Sequence, residues 1–152
     1  MNASRLGTGE LIALLGGAAL AAGLFLPWYV TNPSNPNAAI NGGRGTFSGW
    51  DVHTIIRWPL LAAALAPLVL AWIALREHEL SWPRGEMTAV LAMIALVLVL
   101  YQGVISRPGE PSGEISLKFG WFVAFAGAFL EVAGGGLRAG TSERPRKPPG
   151  VL

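Results

Sequence analysis

The sequence predicts an all-α membrane protein in which four transmembrane helices form an antiparallel bundle, and three observations predict it. Hydrophobic residues make up 52% of the 152 residues and charged residues only 13%, which is about half the charged share of a soluble domain. The mean hydropathy is +0.48. Four long apolar stretches are separated by segments rich in Pro, Gly and charge. Such a surface must face lipid, where helices satisfy their own backbone polarity.

Each apolar stretch is long enough to cross a hydrocarbon core of about 30 Å at about 1.5 Å per residue. The spans are expected at about residues 9–29, 50–76, 86–105 and 118–138. Pro67 should kink the second span because proline removes a backbone hydrogen bond. A cleaved signal peptide is the rival interpretation of the first stretch and would leave three spans. A span is favoured because the run is longer than a typical signal-peptide core and no clear A-x-A cleavage site follows it.

The connections complete a four-helix domain over residues 1–138. Residues 30–49, rich in Asn, Pro and Gly, form the longest connection and are expected to be an outer loop. The tail, residues 139–152, has no apolar periodicity and carries several cations. It is therefore expected to be disordered, basic and cytoplasmic.

Basic residues are distributed unequally between the two ends of the predicted bundle. Seven fall on the side of both termini and four on the other side, which places both termini in the cytoplasm. The preference for Arg over Lys, with abundant Ala and Gly, is typical of high-GC bacteria. The expected location is a bacterial inner membrane, crossed several times. The seven are Arg5, Arg76, Arg84, Arg138, Arg144, Arg146 and Lys147, and the four are Arg44, Arg57, Arg107 and Lys118.

Composition argues against several classes of site. Without cysteine there is no disulfide, thiolate metal site or Cys nucleophile. The two histidines, His53 and His78, fall on opposite sides of the membrane, so we expect no metal or cofactor. No phosphate-binding loop, serine elbow or pair of carboxylates within a span is present, which predicts that the protein is not an enzyme. No basic stripe with interleaved aromatics indicates nucleic-acid binding.

Two interpretations compete for the polar residues before the second span. Ser48 followed three residues later by Asp51 is typical of a helix capping box. Alternatively, Asp51, His53 and Arg57 form one polar group at the outer end of the span, since residues 53 and 57 would share one helix face. His53 and Arg57 would then bind an anion, sense pH or pair with Asp51. We favour the cap for Asp51, and the residues could do both.

Glu131 is the most informative single residue because an ionisable group inside a span costs about 2–3 kcal/mol unless it is paired or hydrated. It should point into a helix interface or cavity. Three roles remain open: a proton or cation site within one bundle, a hydrogen-bonded clasp to a partner subunit, or a carboxyl that snorkels or remains protonated near the inner interface. Arg76 is the expected partner within the chain.

Small residues recur at helical spacing on the first and fourth spans. Such faces let two helices approach closely, and we expect them to pack within the bundle or against another subunit. The faces are formed by Ala13, Gly17 and Ala21 on the first span and by Ala124, Gly127 and Ala128 on the fourth.

A resemblance rests on four short motifs spread over most of the chain. They are Leu26-Pro27-Trp28-Tyr29, Phe47-Ser48-Gly49-Trp50-Asp51, Arg107-Pro108-Gly109 with Tyr101 before it, and Gly120-Trp121. With these motifs the chain resembles small tetraspan membrane proteins of high-GC bacteria. Its four spans and long first outer loop are also similar to the claudin-like architecture, although the paired loop cysteines of that architecture are absent. The resemblance implies a fold and no activity, and it adds Arg107 to the candidate functional or interface residues.

The expected function is that of a membrane interaction or accessory subunit. It would contact lipid and pack against itself, as a homo-oligomer, or against a larger membrane complex. The alternative is an oligomeric small-ion channel or transporter in which Glu131 lines the path.

Overall fold

The computed structural model describes residues 7–76 and 84–141, and this part of the chain is mostly helical. A π-helical turn, Tyr101–Ile105, directly follows the fourth helix. In chain order the helices are α1 (Thr8–Phe25), α2 (Gly49–Val52), α3 (Arg57–Leu75), α4 (Arg84–Leu100) and α5 (Phe119–Thr141).

Helices α1 and α5 form the tightest pair of the bundle because glycine lies at their contacts on both sides. A Cβ added to Gly16 would lie 2.6 Å from the amide nitrogen of Glu131 and 2.7 Å from the carbonyl oxygen of Gly127. A Cβ on Gly134 would lie 2.5 Å from the amide nitrogen of Ala13. The two backbones therefore touch without intervening side chains, as in other small-residue helix contacts.

Helices α3 and α4 pack against this central pair. Gly17 of α1 faces α3, where an added Cβ would meet the carbonyl oxygen of Ala64 and lie 2.9 Å from Cγ of Pro67. Gly85 of α4 faces α5 in the same close manner, since a Cβ added to it would lie 2.8 Å from the carbonyl oxygen of Gly135. The predicted packing face of α5 is buried, as are Ala13 and Gly17 of α1, while Ala21 is half-buried against the core.

Within residues 7–76 and 84–141, three helical stretches are long and apolar enough to cross a membrane: Thr8–Phe25, Gly85–Ile105 and Phe119–Gly140. α3 adds a shorter apolar stretch, Arg57–Ile73. Large hydrophobic side chains such as Leu15, Val97 and Phe129 are more than half exposed. A helical fold with this apolar exterior is compatible with a membrane protein.

A small antiparallel sheet lies at the end of the bundle where α1 ends and α5 begins, so the all-α prediction is corrected here. Tyr29 on the central strand is paired with Phe47 on one side and Leu117 on the other. Aromatic and β-branched residues, such as those at 28–31, favour strands. In spatial order the strands are β2 (Thr46–Ser48), β1 (Pro27–Thr31) and β3 (Ile115–Leu117).

The connection at residues 30–49 is more ordered than the predicted loop. The backbone amide of Ala39 donates a hydrogen bond of 3.0 Å to the carbonyl oxygen of Glu110, which lies in the connection between α4 and α5. The guanidinium of Arg44 donates to the carbonyl oxygens of Pro33 and Asn35. We call residues 27–56 and 101–118, which contain the sheet, α2 and the π-helical turn, the sheet cap.

The first two predicted spans differ from the helices that form. α1 ends at Phe25 rather than residue 29, because Pro27 disfavours helical backbone at the residue before it and the following residues pair in the sheet. The predicted span from residue 50 is interrupted, and α3 begins at Arg57. His53 ends α2 with φ −102° and ψ 79°. His78 lies outside the described residues. So do residues 142–152, which form most of the predicted tail.

Candidate functional site

A buried polar chain beneath the sheet connects three segments that are distant in the sequence. The hydroxyl of Tyr29 on β1 lies 2.9 Å from Nε2 of His53. The same hydroxyl donates to the carbonyl oxygen of Gln102, in the π-helical turn, at 3.2 Å. Because the Tyr29 proton goes to Gln102, His53 is the donor to Tyr29 in the matching tautomer. These hydrogen bonds thus hold β1 and the segment around His53 against the π-helical turn that follows α4.

Aromatic rings close this network off from water. The ring of Trp28 lies edge-on to His53 at 5.7 Å, and its Nε1 donates to the carbonyl oxygen of Gly23 at 2.7 Å. Burial lowers the pKa of the His53 imidazole to about 4. Burial also raises the pKa of the Tyr29 phenol beyond its usual range, and the charge of Arg107 opposes this rise. His53 is therefore a neutral structural group at physiological pH.

Trp28, Tyr29 and Trp121 are placed in the core and not at a lipid headgroup belt. Trp28 and Tyr29 are fully buried and Trp121 is 6% exposed. Nε1 of Trp121 donates to the carbonyl oxygen of Val99 at 2.9 Å, beside Gly103 where no side chain would fit. These three aromatic side chains therefore pack inside the protein.

Asp51 acts as part of a helix cap. Its backbone amide donates to Oγ of Ser48 at 3.1 Å, and that hydroxyl donates to Oδ2 of Asp51 at 2.6 Å. Ser48 is the N-cap of α2. The N-cap role of Ser48 is confirmed. The Asp51 carboxylate accepts from the Ser48 hydroxyl, whereas in a capping box it would accept from the Ser48 backbone amide.

Arg57 lies between two tryptophan rings at the start of α3. Its guanidinium carbon is 4.9 Å from the ring centre of Trp50 and 5.3 Å from that of Trp58. One guanidinium nitrogen donates to the carbonyl oxygen of Trp50 at 3.3 Å. Asp51, His53 and Arg57 thus use their side chains for three separate purposes, and the predicted grouping into one site is not formed.

Arg107 joins the π-helical turn to the sheet. Its Nε donates to the carbonyl oxygen of Gly103 at 2.7 Å, and its Nη1 donates to the carbonyl oxygen of Ile115 on β3 at 3.2 Å.

Replacing Arg107 with Lys keeps the charge but removes the forked geometry of the guanidinium. We expect a loss of about 1 kcal/mol in unfolding free energy, measured by thermal unfolding in detergent. Equal stability of Arg107→Lys and wild type, with Arg107→Ala destabilised, would assign the role to charge instead.

Glu131 lies at the junction of α1, α3 and α5, and its side chain is 0% exposed. Neither carboxyl oxygen has a hydrogen-bond partner within residues 7–76 and 84–141. The expected partner, Arg76, lies with its guanidinium 5.2 Å from the ring centre of Trp72 and makes no hydrogen bond to Glu131. The pairing expected from the sequence is therefore corrected: Arg76 belongs to the end of α3, whereas Glu131 faces its middle.

Glu10 has a structural role that the sequence did not reveal. Its carboxylate forms an ion pair with Arg138 and accepts a hydrogen bond from the backbone amide of Gly7 at 3.0 Å. The pair ties the start of α1 to the end of α5. A glutamate in the first turn of a helix is a recognisable signal, but its partner is 128 positions away and cannot be inferred locally.

Among the described residues, no group of three or more His, Cys, Asp or Glu side chains could hold a metal ion. No family model, curated protein or solved structure matches the chain. The polar side chains of the sheet cap therefore have to be interpreted from their own geometry, which is that of structural bonds.

Proposed function

We propose that this chain is a multi-pass protein of a bacterial cell membrane that acts as a non-enzymatic interaction subunit. It crosses the membrane four times, keeps both termini in the cytoplasm, and presents the sheet cap to a partner protein on the outer side.

The fourth crossing is supported by the position of α3. Its apolar stretch, Arg57–Ile73, has a length of about 26 Å at 1.5 Å per residue. Trp58 and Trp72 near its two ends are 56% and 55% exposed, as expected for rings at headgroup depth. α3 packs on both α1 and α4. An even number of crossings returns both termini to one side, in agreement with the unequal distribution of basic residues.

The observation that carries the interaction role is the construction of the sheet cap. Its candidate chemical groups, Asp51, His53 and Arg107, are used in bonds that make it rigid. β2 and β3 each have one side with no strand partner within the described residues. Edge strands of this kind can pair with another chain. The small-residue faces of α1 and α5, by contrast, pack against helices of the same chain. The sheet cap is therefore the surface that we assign to a partner.

The alternative, an oligomeric small-ion channel or transporter built on Glu131, needs a path to that carboxyl. Within the described residues Glu131 is fully buried, and α1 and α5 touch on either side of it. A closed junction of this kind favours the interaction role.

Site-specific photo-crosslinking in native membranes tests the proposal. A photoreactive residue at Thr46 on β2 or Ser116 on β3, both exposed, should give an adduct of one discrete mass with a protein. The matched control is Val97, which is 64% exposed on α4 and should label lipid only. Absence of a protein adduct from both cap positions, together with a monomer in lipid nanodiscs, would contradict the proposal.

A further inference from the structure

Glu131 is a buried acid with no positively charged partner among the described residues. It forms no ion pair and no hydrogen bond within the described residues. Glu10 and Arg138 are engaged with each other at the ends of α1 and α5. The remaining charged groups on the described helices of the bundle are Arg57 and Arg76 near the two ends of α3, and Arg84 and Glu86 in the first turn of α4.

The space around the carboxyl exists because two neighbouring residues of α1 lack side chains. A Cβ on Gly16 would lie 2.9 Å from Cγ of Glu131, and one on Gly17 would lie 2.7 Å from its Oε1. The same Gly17 position also meets the carbonyl oxygen of Ala64 on α3. The carboxyl oxygen of Glu131 and this carbonyl oxygen therefore both lie against Gly17.

Pro67 adds a second hydrogen-bond acceptor on the same part of α3. Proline has no amide hydrogen, so the carbonyl of Ala63, four residues earlier, lacks its usual helical donor. Ala63 and Ala64 are 3% and 4% exposed, so water from outside does not reach them freely. Beside Glu131, α3 therefore presents the carbonyl of Ala64, with the carbonyl of Ala63 one residue earlier. The side chains of α3 from Leu60 to Leu70 contain no hydrogen-bond donor.

Only one form of a carboxyl group fits this environment. An ionised carboxylate accepts hydrogen bonds and cannot donate, whereas the protonated acid has one O–H donor. Burying a carboxylate without donors or a counter-charge costs several kcal/mol. A metal ion would need a larger set of oxygen ligands than this junction supplies.

We propose that Glu131 is an intramembrane proton-binding site, in which the carboxyl holds one proton and directs it, directly or through one water molecule, to the backbone carbonyls of α3 beside Pro67. Loss of the proton would leave a charge that requires water. Deprotonation is therefore coupled to separation of α1 from α3. This site is independent of the interaction role proposed for the sheet cap.

Infrared difference spectroscopy of the protein in lipid nanodiscs tests the proposal. At neutral pH, wild type should show a protonated-carboxyl C=O band that shifts in D2O and is lost completely in Glu131→Gln. The matched control, Glu10→Gln, removes a carboxylate that is paired with Arg138 and should leave the protonated band unchanged.

A second measurement needs no variant. The chain contains eight glutamates, and solid-state NMR of wild type with labelled glutamate carboxyl carbons should show one protonated carboxyl at neutral pH. All eight carboxyls ionised in the folded protein would overturn the proposal. So would a protonated band that survives in a folded Glu131→Gln variant.

Discussion

Replacing Gly127 with Ala should destabilise the protein by about 3 kcal/mol, because the added methyl group has no space between α5 and α1. A Cβ at this position would meet the amide nitrogen of Leu20 and lie 2.7 Å from the carbonyl oxygen of Gly16. Backbone atoms cannot move aside individually, so the helices must separate. Overpacking of this kind costs about 1–3 kcal/mol and occasionally more. Thermal unfolding in a mild detergent should show a melting temperature lower by roughly 10 °C.

Gly136 on the same helix provides the matched control. Nothing lies within 4 Å of a Cβ added at Gly136. Alanine is a better helix former than glycine by about 1 kcal/mol. Gly136→Ala should therefore be neutral or stabilising. Equal effects of the two substitutions would mean that α1 and α5 do not touch as described.

Acidification should destabilise the protein through His53, and the direction follows from the two pKa values. Burial lowers the folded-state pKa to about 4, against an ordinary value of 6.5. Between these pH values the unfolded chain binds a proton that the folded protein excludes, so the free energy of unfolding falls as the pH falls. The loss begins near pH 6.5 and is complete below about pH 4. The difference in pKa corresponds to about 3 kcal/mol.

The His53 effect can be separated from other titrating groups with the variant His53→Gln. Glutamine can still donate to the hydroxyl of Tyr29 but does not titrate. Melting temperatures of both proteins should be measured from pH 4 to pH 8 in the same detergent. The wild-type curve should fall more steeply than the variant curve below pH 6.5. Parallel curves would show that the pKa of His53 is not lowered in the folded protein.

Local sequence patterns predicted the helical segments and the cap of α2 because these depend on neighbouring residues. Ser48 and Asp51 are three positions apart, and their hydrogen bonds form within one turn. Apolar runs likewise predict helix positions without knowledge of their partners. The grouping of Asp51, His53 and Arg57 was wrong because it assumed one continuous helix, whereas His53 adopts a non-helical conformation.

The partners of the polar groups were not predictable, because they come from distant segments. Tyr29 is linked to Gln102 across 73 positions and Glu10 to Arg138 across 128. Likewise, no local signal shows that Arg107 reaches the carbonyl of Ile115 on a strand. Such contacts depend on how whole elements pack.

The sequence alone determined that lipid-compatible helices would form and that Glu131 would be their most costly residue, since both follow from the chemistry of single residues and short runs. Only the tertiary structure decided that three short segments at 27–31, 46–48 and 115–117 pair as a sheet. It also decided that Glu131 faces glycines of α1 and acceptors of α3. The physical reason is that strand pairing and helix contacts depend on two surfaces that fit each other. A local stretch of sequence describes one of these surfaces and does not identify the distant segment that supplies the other.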